Sequence, residues 1–280
     1  MQMQMHMYSY PTKGTLKLIP EGGFPLFYIT YLNHSGFLAE TDSHILLFDY
    51  FPDCAPIDGT LSDGIFHPKT SSGKQLAVFI SHSHHDHFTP AVFDWAKIYP
   101  DTLYFVGKDI RRIPDGVRVF RMRGDDMVNA DGFCVSALRS TDAGVAFIVK
   151  TDGLLLYHAG DLNDWRWEGE TESDNARMST AYQKEMQKLS GIRFDAAFVP
   201  VDPRQGANML NGLAGFLKAA HATHVFPMHF WGDYTACSKA ANDPALSKTD
   251  TIIHQITRKG ECFDLSVPVD GLHHKRSEEG

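Results

Sequence analysis

Short apolar runs, separated by polar segments that carry glycine and proline, dominate the chain. Runs rich in β-branched and aromatic residues predict strands at LFYITYL (26–32), HILLFDY (44–50), LAVFIS (76–81), TLYFVG (102–107), VRVF (around 118–120), VAFIVK (145–150), LLLYHAG (154–160), DAAFVPV (195–201) and HVFPM (224–228). Asp152-Gly153 stands between two of these runs and signals a two-residue hairpin turn, because both positions tolerate positive φ. Other segments have helical period. Thr89 followed by Pro90 predicts a capped helix start, and this helix must stop before Pro100. Met178, Tyr182, Met186 and Leu189 fall on one face of a second helix ending at Gly191. Leu210, Leu213, Leu217 and Ala220 align along a third, at about 207–221. Strands with helices interspersed predict a layered α/β architecture, expected as one domain over 1–280 with loose ends at about 1–12 and 273–280.

Composition narrows the classes. A chain of 280 residues, 43% hydrophobic and 21% charged, is ample for a real core. MQMQMHMYSYPTKG has no basic patch before an apolar stretch, and no run approaches the roughly 18 apolar residues of a membrane span, so a cytoplasmic protein without membrane contact is expected. The net charge of -8 leaves no electrostatic footprint for nucleic acid. Cys54, Cys134, Cys237 and Cys262 lie far apart without CxxC spacing, which predicts buried free thiols rather than a zinc knuckle or a disulfide framework.

The chemistry concentrates in FISHSHHDHFTP (79–90), directly after an apolar run. His82 and His84 are two apart, so at the end of an extended segment their side chains emerge on the same side and can share one metal. Asp86 and His87 follow at a turn and can aim at a neighbouring ion, whereas His85 points away and is expected to face solvent or to support the ligands from behind. Imidazole and carboxylate are the ligand types expected for Zn, Mn or Fe. Asp161 in YHAGD and His229 in FPMHFWGD each stand at the end of an apolar strand and look like further ligands.

With HSHHDH at 82–87, AGD at 159–161 and PMH at 227–229, the chain resembles the metallo-β-lactamase superfamily over roughly 26–230. YLNHSGFLAE (31–40) and the YHAGD box look most like the branch of L-ascorbate-6-phosphate lactonase and other small cytosolic metal-dependent hydrolases. The resemblance implies a four-layer αββα sandwich with a dinuclear site at one edge. It implies that His82 and His84 hold one metal, that Asp86, His87 and His229 hold the other, and that Asp161 bridges them. A histidine usual in such proteins between the HxHxDH box and the bridging aspartate is missing, since no histidine occurs from 88 to 157. Asp142 in RSTDAGVAFIV has the right surroundings and is expected to replace it. A harder oxygen ligand moves preference toward Mn or Fe, with Zn still open.

Two divalent ions, Zn or Mn or Fe, are therefore expected, with Asp86 and Asp161 as catalytic carboxylates and a metal-bridged hydroxide as nucleophile acting on a small ester, lactone or phosphodiester. No GxSxG offers a serine nucleophile instead. Asn163, Trp165 and Trp167 leave the metal edge in a loop able to wall a substrate pocket, and Arg204 after another strand end is a candidate clamp for phosphate or carboxylate. His34 and His158 are expected to orient ligands. A superfamily nuclease, disfavoured by the acidity, and a non-hydrolytic iron oxygenase or inactive metal-binding scaffold are the alternatives. A flavin-linked diiron reductase is disfavoured because it calls for a Glu in the second half of HxHxDH and for a flavin domain. The partner expected is a small molecule, and self-association is left open.

Overall fold

In the computed structural model, residues 26–53, 58–68, 73–246 and 250–266 are described. Cys54 and the segments 1–12 and 273–280 lie outside them. The strands are β1 (Tyr28–Asn33), β2 (Gly36–Glu40), β3 (His44–Phe48), β4 (Gln75–Ile80), β5 (Leu103–Gly107), β6 (Arg118–Met122), β7 (Met127–Ala130), β8 (Phe133–Arg139), β9 (Val145–Thr151), β10 (Leu154–His158), β11 (Arg193–Pro200), β12 (His221–Met228), β13 (Ile252–Ile253) and β14 (Cys262–Asp264). The helices are α1 (Glu172–Gln187), α2 (Asn211–Ala219) and α3 (Thr235–Ala241).

The strands form two seven-stranded sheets, in the orders β14-β1-β2-β3-β4-β5-β6 and β13-β12-β11-β10-β9-β8-β7. In each, antiparallel neighbours give way to parallel ones: from the β3–β4 pair onward in the first sheet and from β10–β11 onward in the second. The facing surfaces build the main core. A row of phenylalanines crosses the first sheet in register, Phe48 opposite Phe79, Phe79 opposite Phe105 and Phe105 opposite Phe120. Their ring centroids are 4.7, 5.0 and 5.1 Å apart. Each such pair adds about 0.5–1.5 kcal/mol beyond its buried area. Because a one-residue slip would turn this row to the opposite face, it fixes which residues of β4 run past the sheet edge. Those residues are Ser81 and His82.

The remaining layers are uneven. α1 and α2 pack on each other and α2 on β11 and β12, while α3 lies against β12 and β13. The outer face of the first sheet is covered around Val92 and Phe93, with Trp95 packed alongside. Here the helix expected after Pro90 is a run of 3-10 turns over Pro90–Lys97, and Thr89 makes no side-chain cap. The second helix begins earlier than its apolar face indicates, at Thr171, whose hydroxyl accepts from the Asp174 amide. The Asp152-Gly153 hairpin forms as expected, with φ of 47° and 82°. Of the cysteines, Cys237 is buried, Cys134 half-buried and Cys262 exposed, so the expectation of buried thiols fails at Cys262 on the edge strand β14. Among the described residues no helix is long and apolar enough to cross a membrane.

Candidate metal centre

The ligand-bearing segments meet at one edge of the sandwich, where strands of both sheets end. Two carboxylates pin the end of β4. Fully buried Asp49, one residue past β3, accepts from the Ser81 amide at 2.7 Å and the Ser81 hydroxyl at 2.6 Å, and Asp109 accepts from the Ser83 amide at 2.7 Å. Two glycines let neighbouring loops close over this segment. At Gly144, φ is +68° and a Cβ would lie 2.0 Å from the Ser81 carbonyl oxygen; at Gly160, φ is +51° and a Cβ would lie 2.7 Å from the Ser81 Cβ. The positive φ and the close approach together require glycine.

Two groups of side chains result, each with ligand atoms within 4.8 Å of one another: His82, His84 and Asp161, and His34, Asp86, His87 and His229. Each draws on both sheets. Asp161 Oδ2 lies 3.2 Å from His82 Nε2, while its Oδ1 lies 3.1 Å from His87 Nε2 and 3.4 Å from His229 Nε2. One carboxylate thus turns one oxygen to each group. His34 Nε2 is 3.3 Å from Asp86 Oδ2.

These residues fit divalent cations by a simple test. The Nε2 atoms of His34, His82 and His87 and Oδ1 of Asp161 are buried and in no hydrogen bond, which is costly unless something else satisfies them. Ligand atoms around an ion at bond lengths of about 2.1 Å are themselves roughly 3.0–3.5 Å apart, and the spacings above match those edges. The other ring nitrogens are already held. His87 Nδ1 lies 2.8 Å from Asp49 Oδ2, His229 Nδ1 3.0 Å from Asp202 Oδ2, and His82 Nδ1 2.8 Å from the Ser81 hydroxyl. A carboxylate on Nδ1 keeps its proton there and leaves Nε2 as the lone-pair donor.

The electrostatics agree. Burial opposes charge on Asp161, but His87, His82 and His229 hold its carboxyl well below the usual range. Burial likewise opposes a charged His87, yet Asp161 and Asp49 outweigh it and raise the imidazole to about 10. His34 goes the other way, lowered to about 4 chiefly by burial.

Of the residues singled out from the sequence, His82, His84, Asp86, His87, Asp161 and His229 come together. His34 joins the second group outright, in a turn between β1 and β2 where its φ is 53°. Asp142 is exposed; it lines the adjoining cavity beside His84 and Asp161 but stands outside both groups. His158 is fully buried, stacked on Phe48, and its Nδ1 accepts from the Gly160 amide at 3.2 Å, which sets the turn carrying Asp161. His85 is 86% exposed at the cavity rim. The cavity, of about 460 Å³, is also lined by Trp165, Trp167, Met178, Arg204 and Trp231. Asn163 is not among its walls: fully buried, it donates to Gln205 Oε1 at 2.9 Å behind them. Sequence reasoning missed Asp49 and the link of Asp202 to His229, although both aspartates sit where an apolar strand ends, the same cue that drew attention to Asp161.

Sequence and fold comparisons now have a site to be set against. A profile described as the beta-lactamase superfamily domain matches residues 28–173, which contain HSHHDH and Asp161. No curated protein matches at a significant level. Among solved structures, Igni18, a metallo hydrolase from the hyperthermophilic archaeon Ignicoccus hospitalis, is similar with a TM-score of 0.59 at 17% identity, over 86% of this chain and 99% of that one. YhfI, a metallo-beta-lactamase fold protein from Bacillus subtilis, gives 0.52 at 12% identity over 86% and 99%. CmlA, a diiron beta-hydroxylase from Streptomyces venezuelae, gives 0.51 at 13% identity, over 89% of this chain and 55% of its own. At these identities the likeness is one of fold. With the profile spanning more than half of the sequence and the sandwich gathering its histidines at one edge, the chain belongs to the metallo-β-lactamase superfamily.

Proposed function

We propose that the protein is a hydrolase of small esters, lactones or phosphodiesters that works with two divalent cations. The observation that carries this reading is the pair of ligand groups joined by Asp161, buried except for exposed His84, with unsatisfied Nε2 atoms of His34, His82 and His87 and Oδ1 of Asp161. When bound, such cations supply an acidified water for attack and positive charge for the oxygen that turns negative. The chain's own residues do the rest. His82, His84 and Asp161 would hold one cation, with Asp142 at the adjoining cavity as a further candidate ligand; Asp86, His87, His229 and His34 would hold the other. Asp161, with one oxygen toward each group, would serve both cations and would be placed to accept a proton from the attacking water. Asp49 and Asp202 keep His87 and His229 with Nε2 free to donate. Trp165 and Trp167, with ring centroids 5.8 Å apart, wall the cavity against bulk water, and Trp165 Nε1 donates to the Asp161 carbonyl at 2.9 Å, tying that wall to the ligand loop.

Zn and Mn suit this donor set, and the harder carboxylate share keeps Fe in play. The cavity suits a small molecule rather than a polynucleotide. The free thiols Cys134, Cys237 and Cys262 are in keeping with a cytoplasmic location. Oxygenation at a non-haem iron is a second reading, favoured by the His82, His84 and carboxylate grouping. Elemental analysis of the purified chain, followed by a screen of esters, lactones and phosphodiesters with the Zn- and Mn-loaded protein, tests both. Two ions per chain with hydrolysis is the expected result. Iron with oxygen uptake and no hydrolysis would overturn it in favour of oxygenation.

A further inference from the structure

The cavity beside the ligand groups carries one cation of its own, and its surroundings specify how that cation is presented. Arg204 Nε lies 3.0 Å from both oxygens of Asp202, and its Nη2 bonds Oδ2 at 2.5 Å. Asp202 is fully buried and has its carboxyl lowered to about 2: burial works against the charge, and His229 and Arg204 more than compensate. The guanidinium is thus gripped along one edge. Its faces are taken as well, since Cζ sits 4.6 Å from the centre of the Trp231 ring and 5.7 Å from that of Trp167. Both are within cation–π range. A guanidinium has five N–H groups, and the side edge uses two of them, so the end edge, Nη1 with the second proton of Nη2, is the part left for another acceptor. No hydrogen bond uses Nη1 among the described residues.

Trp231 is placed there at a cost. It is 47% exposed, has φ of 53°, and follows His229, whose φ is 64°. A bulky residue in the left-handed region is an outlier that persists only where the surroundings enforce it. A half-exposed tryptophan held in this way over an immobilised guanidinium, at the rim of a cavity otherwise lined by Asp86, Asp142 and Asp161, is an arrangement for selecting a ligand.

Resting on the hydrolase reading of this site, we propose that Arg204, framed by Trp167 and Trp231, is an oxyanion subsite. It selects substrates that carry a carboxylate or phosphate beside the bond to be cleaved, attached to a flat apolar body that lies along the tryptophans. The end edge of the guanidinium receives two oxygens in parallel, a match that an ammonium cannot make.

The test is binding of probes that are not hydrolysed. Benzoate, phenyl phosphate and benzyl alcohol are titrated into the zinc-loaded protein, followed by tryptophan fluorescence, in wild type, Arg204→Met and Arg204→Lys, with zinc content measured in each sample. Both anions are expected to bind wild type at least tenfold more tightly than benzyl alcohol, and Arg204→Met to lose about 10- to 100-fold of anion affinity, as removal of a charge-assisted hydrogen-bond pair should, with benzyl alcohol unchanged. Arg204→Lys should fall between, and benzoate against phenyl phosphate separates the two oxyanions. An anion affinity in Arg204→Met within twofold of wild type would overturn the proposal. So would a parallel loss of zinc and of all three probes, which would make Arg204 only a support for Asp202 and His229. Because no probe is cleaved, this result is independent of the hydrolysis screen: neutral esters turned over by a protein without anion preference would sink the subsite alone.

Discussion

Replacing Gly144 by alanine should damage the site out of proportion to the one methyl group added. The backbone cost is shared with any glycine at positive φ, roughly 1–2 kcal/mol for an L residue in the left-handed region. Gly153 serves as the reference, because its φ is +82° and a Cβ there meets nothing within 4 Å. At Gly144 the added Cβ would sit 2.0 Å from the Ser81 carbonyl oxygen and 2.5 Å from His82 Cβ, about an ångström closer to the former than side chains approach. That neighbour is backbone and cannot rotate aside. The loop must lift, straining the bond from the Val145 amide to the Ser81 carbonyl, 3.1 Å long. Overpacking of about 1–3 kcal/mol and a lost hydrogen bond of about 1 kcal/mol bring the total to roughly 3–6 kcal/mol. For a chain of this size each kcal/mol moves the melting temperature by roughly 2–4 °C, so Gly153→Ala should lower it by about 2–8 °C and Gly144→Ala by about 6–24 °C. Circular dichroism melts of the metal-free proteins measure the difference, and elemental analysis should show Gly144→Ala short of the ion at His82. A Gly144→Ala protein melting within about 3 °C of Gly153→Ala, with full metal content, would refute the reasoning.

Asp49→Asn keeps the shape but removes the acceptor at His87 Nδ1, so His87 can adopt the tautomer with its proton on Nε2; affinity for the second ion should drop about 10- to 100-fold in competition with a chromophoric chelator. Asp142→Ala should weaken the ion at His82 and His84 at least about tenfold while sparing the other, read by calorimetric titration, and unchanged occupancy would remove Asp142 from the ligand set. For His87, raised from 6.5 to about 10, charge stabilises the metal-free fold fully below about pH 6.5 and this contribution is lost as pH climbs through 10. The melting temperature of the metal-free protein should therefore fall over that window. Metal uptake should release a proton from His87 at pH 7, detectable as a buffer-dependent heat of binding, and a heat independent of the buffer would contradict the assignment.

Much of the site was legible because its residues obey local rules. HSHHDH follows an apolar strand, and the two-residue spacing puts His82 and His84 on one side, their rings 4.4 Å apart. Asp161 and His229 stand at strand ends, which the order of apolar runs locates. What escaped depends on other information. β8, Phe133–Arg139, alternates buried and half-buried positions only as far as Ala137; Leu138 is buried and Arg139 exposed out of phase, which hides the period. β13 and β14 are short edges held by pairing with distant strands, and pairing leaves no local trace. Asn163 sits among polar residues beside Trp165 and looks equally fit for a wall, yet its side chain turns inward to Gln205. Asp49 and Asp202 act through another residue's ring, and only three-dimensional placement tells such a carboxylate from one that caps a turn. His34 is 195 positions before His229 in the sequence; their rings are 4.2 Å apart because β1 and β12 end at the same seam.

That seam has a mechanical consequence. Each ligand group takes members from both sheets: His82 and His84 from one and Asp161 from the other, His34, Asp86 and His87 from one and His229 from the other. A cation seated in either group therefore acts as a rivet between two halves that are otherwise joined by side-chain packing and a few hydrogen bonds. Prying the sheets apart would tear ligands from the ion, so the barrier to that route rises with metal affinity rather than with the quality of the core. The loaded protein should unfold slowly and the stripped one quickly, even at temperatures where both are folded. The edge that carries the chemistry would then also be the clasp that sets the lifetime of the sandwich.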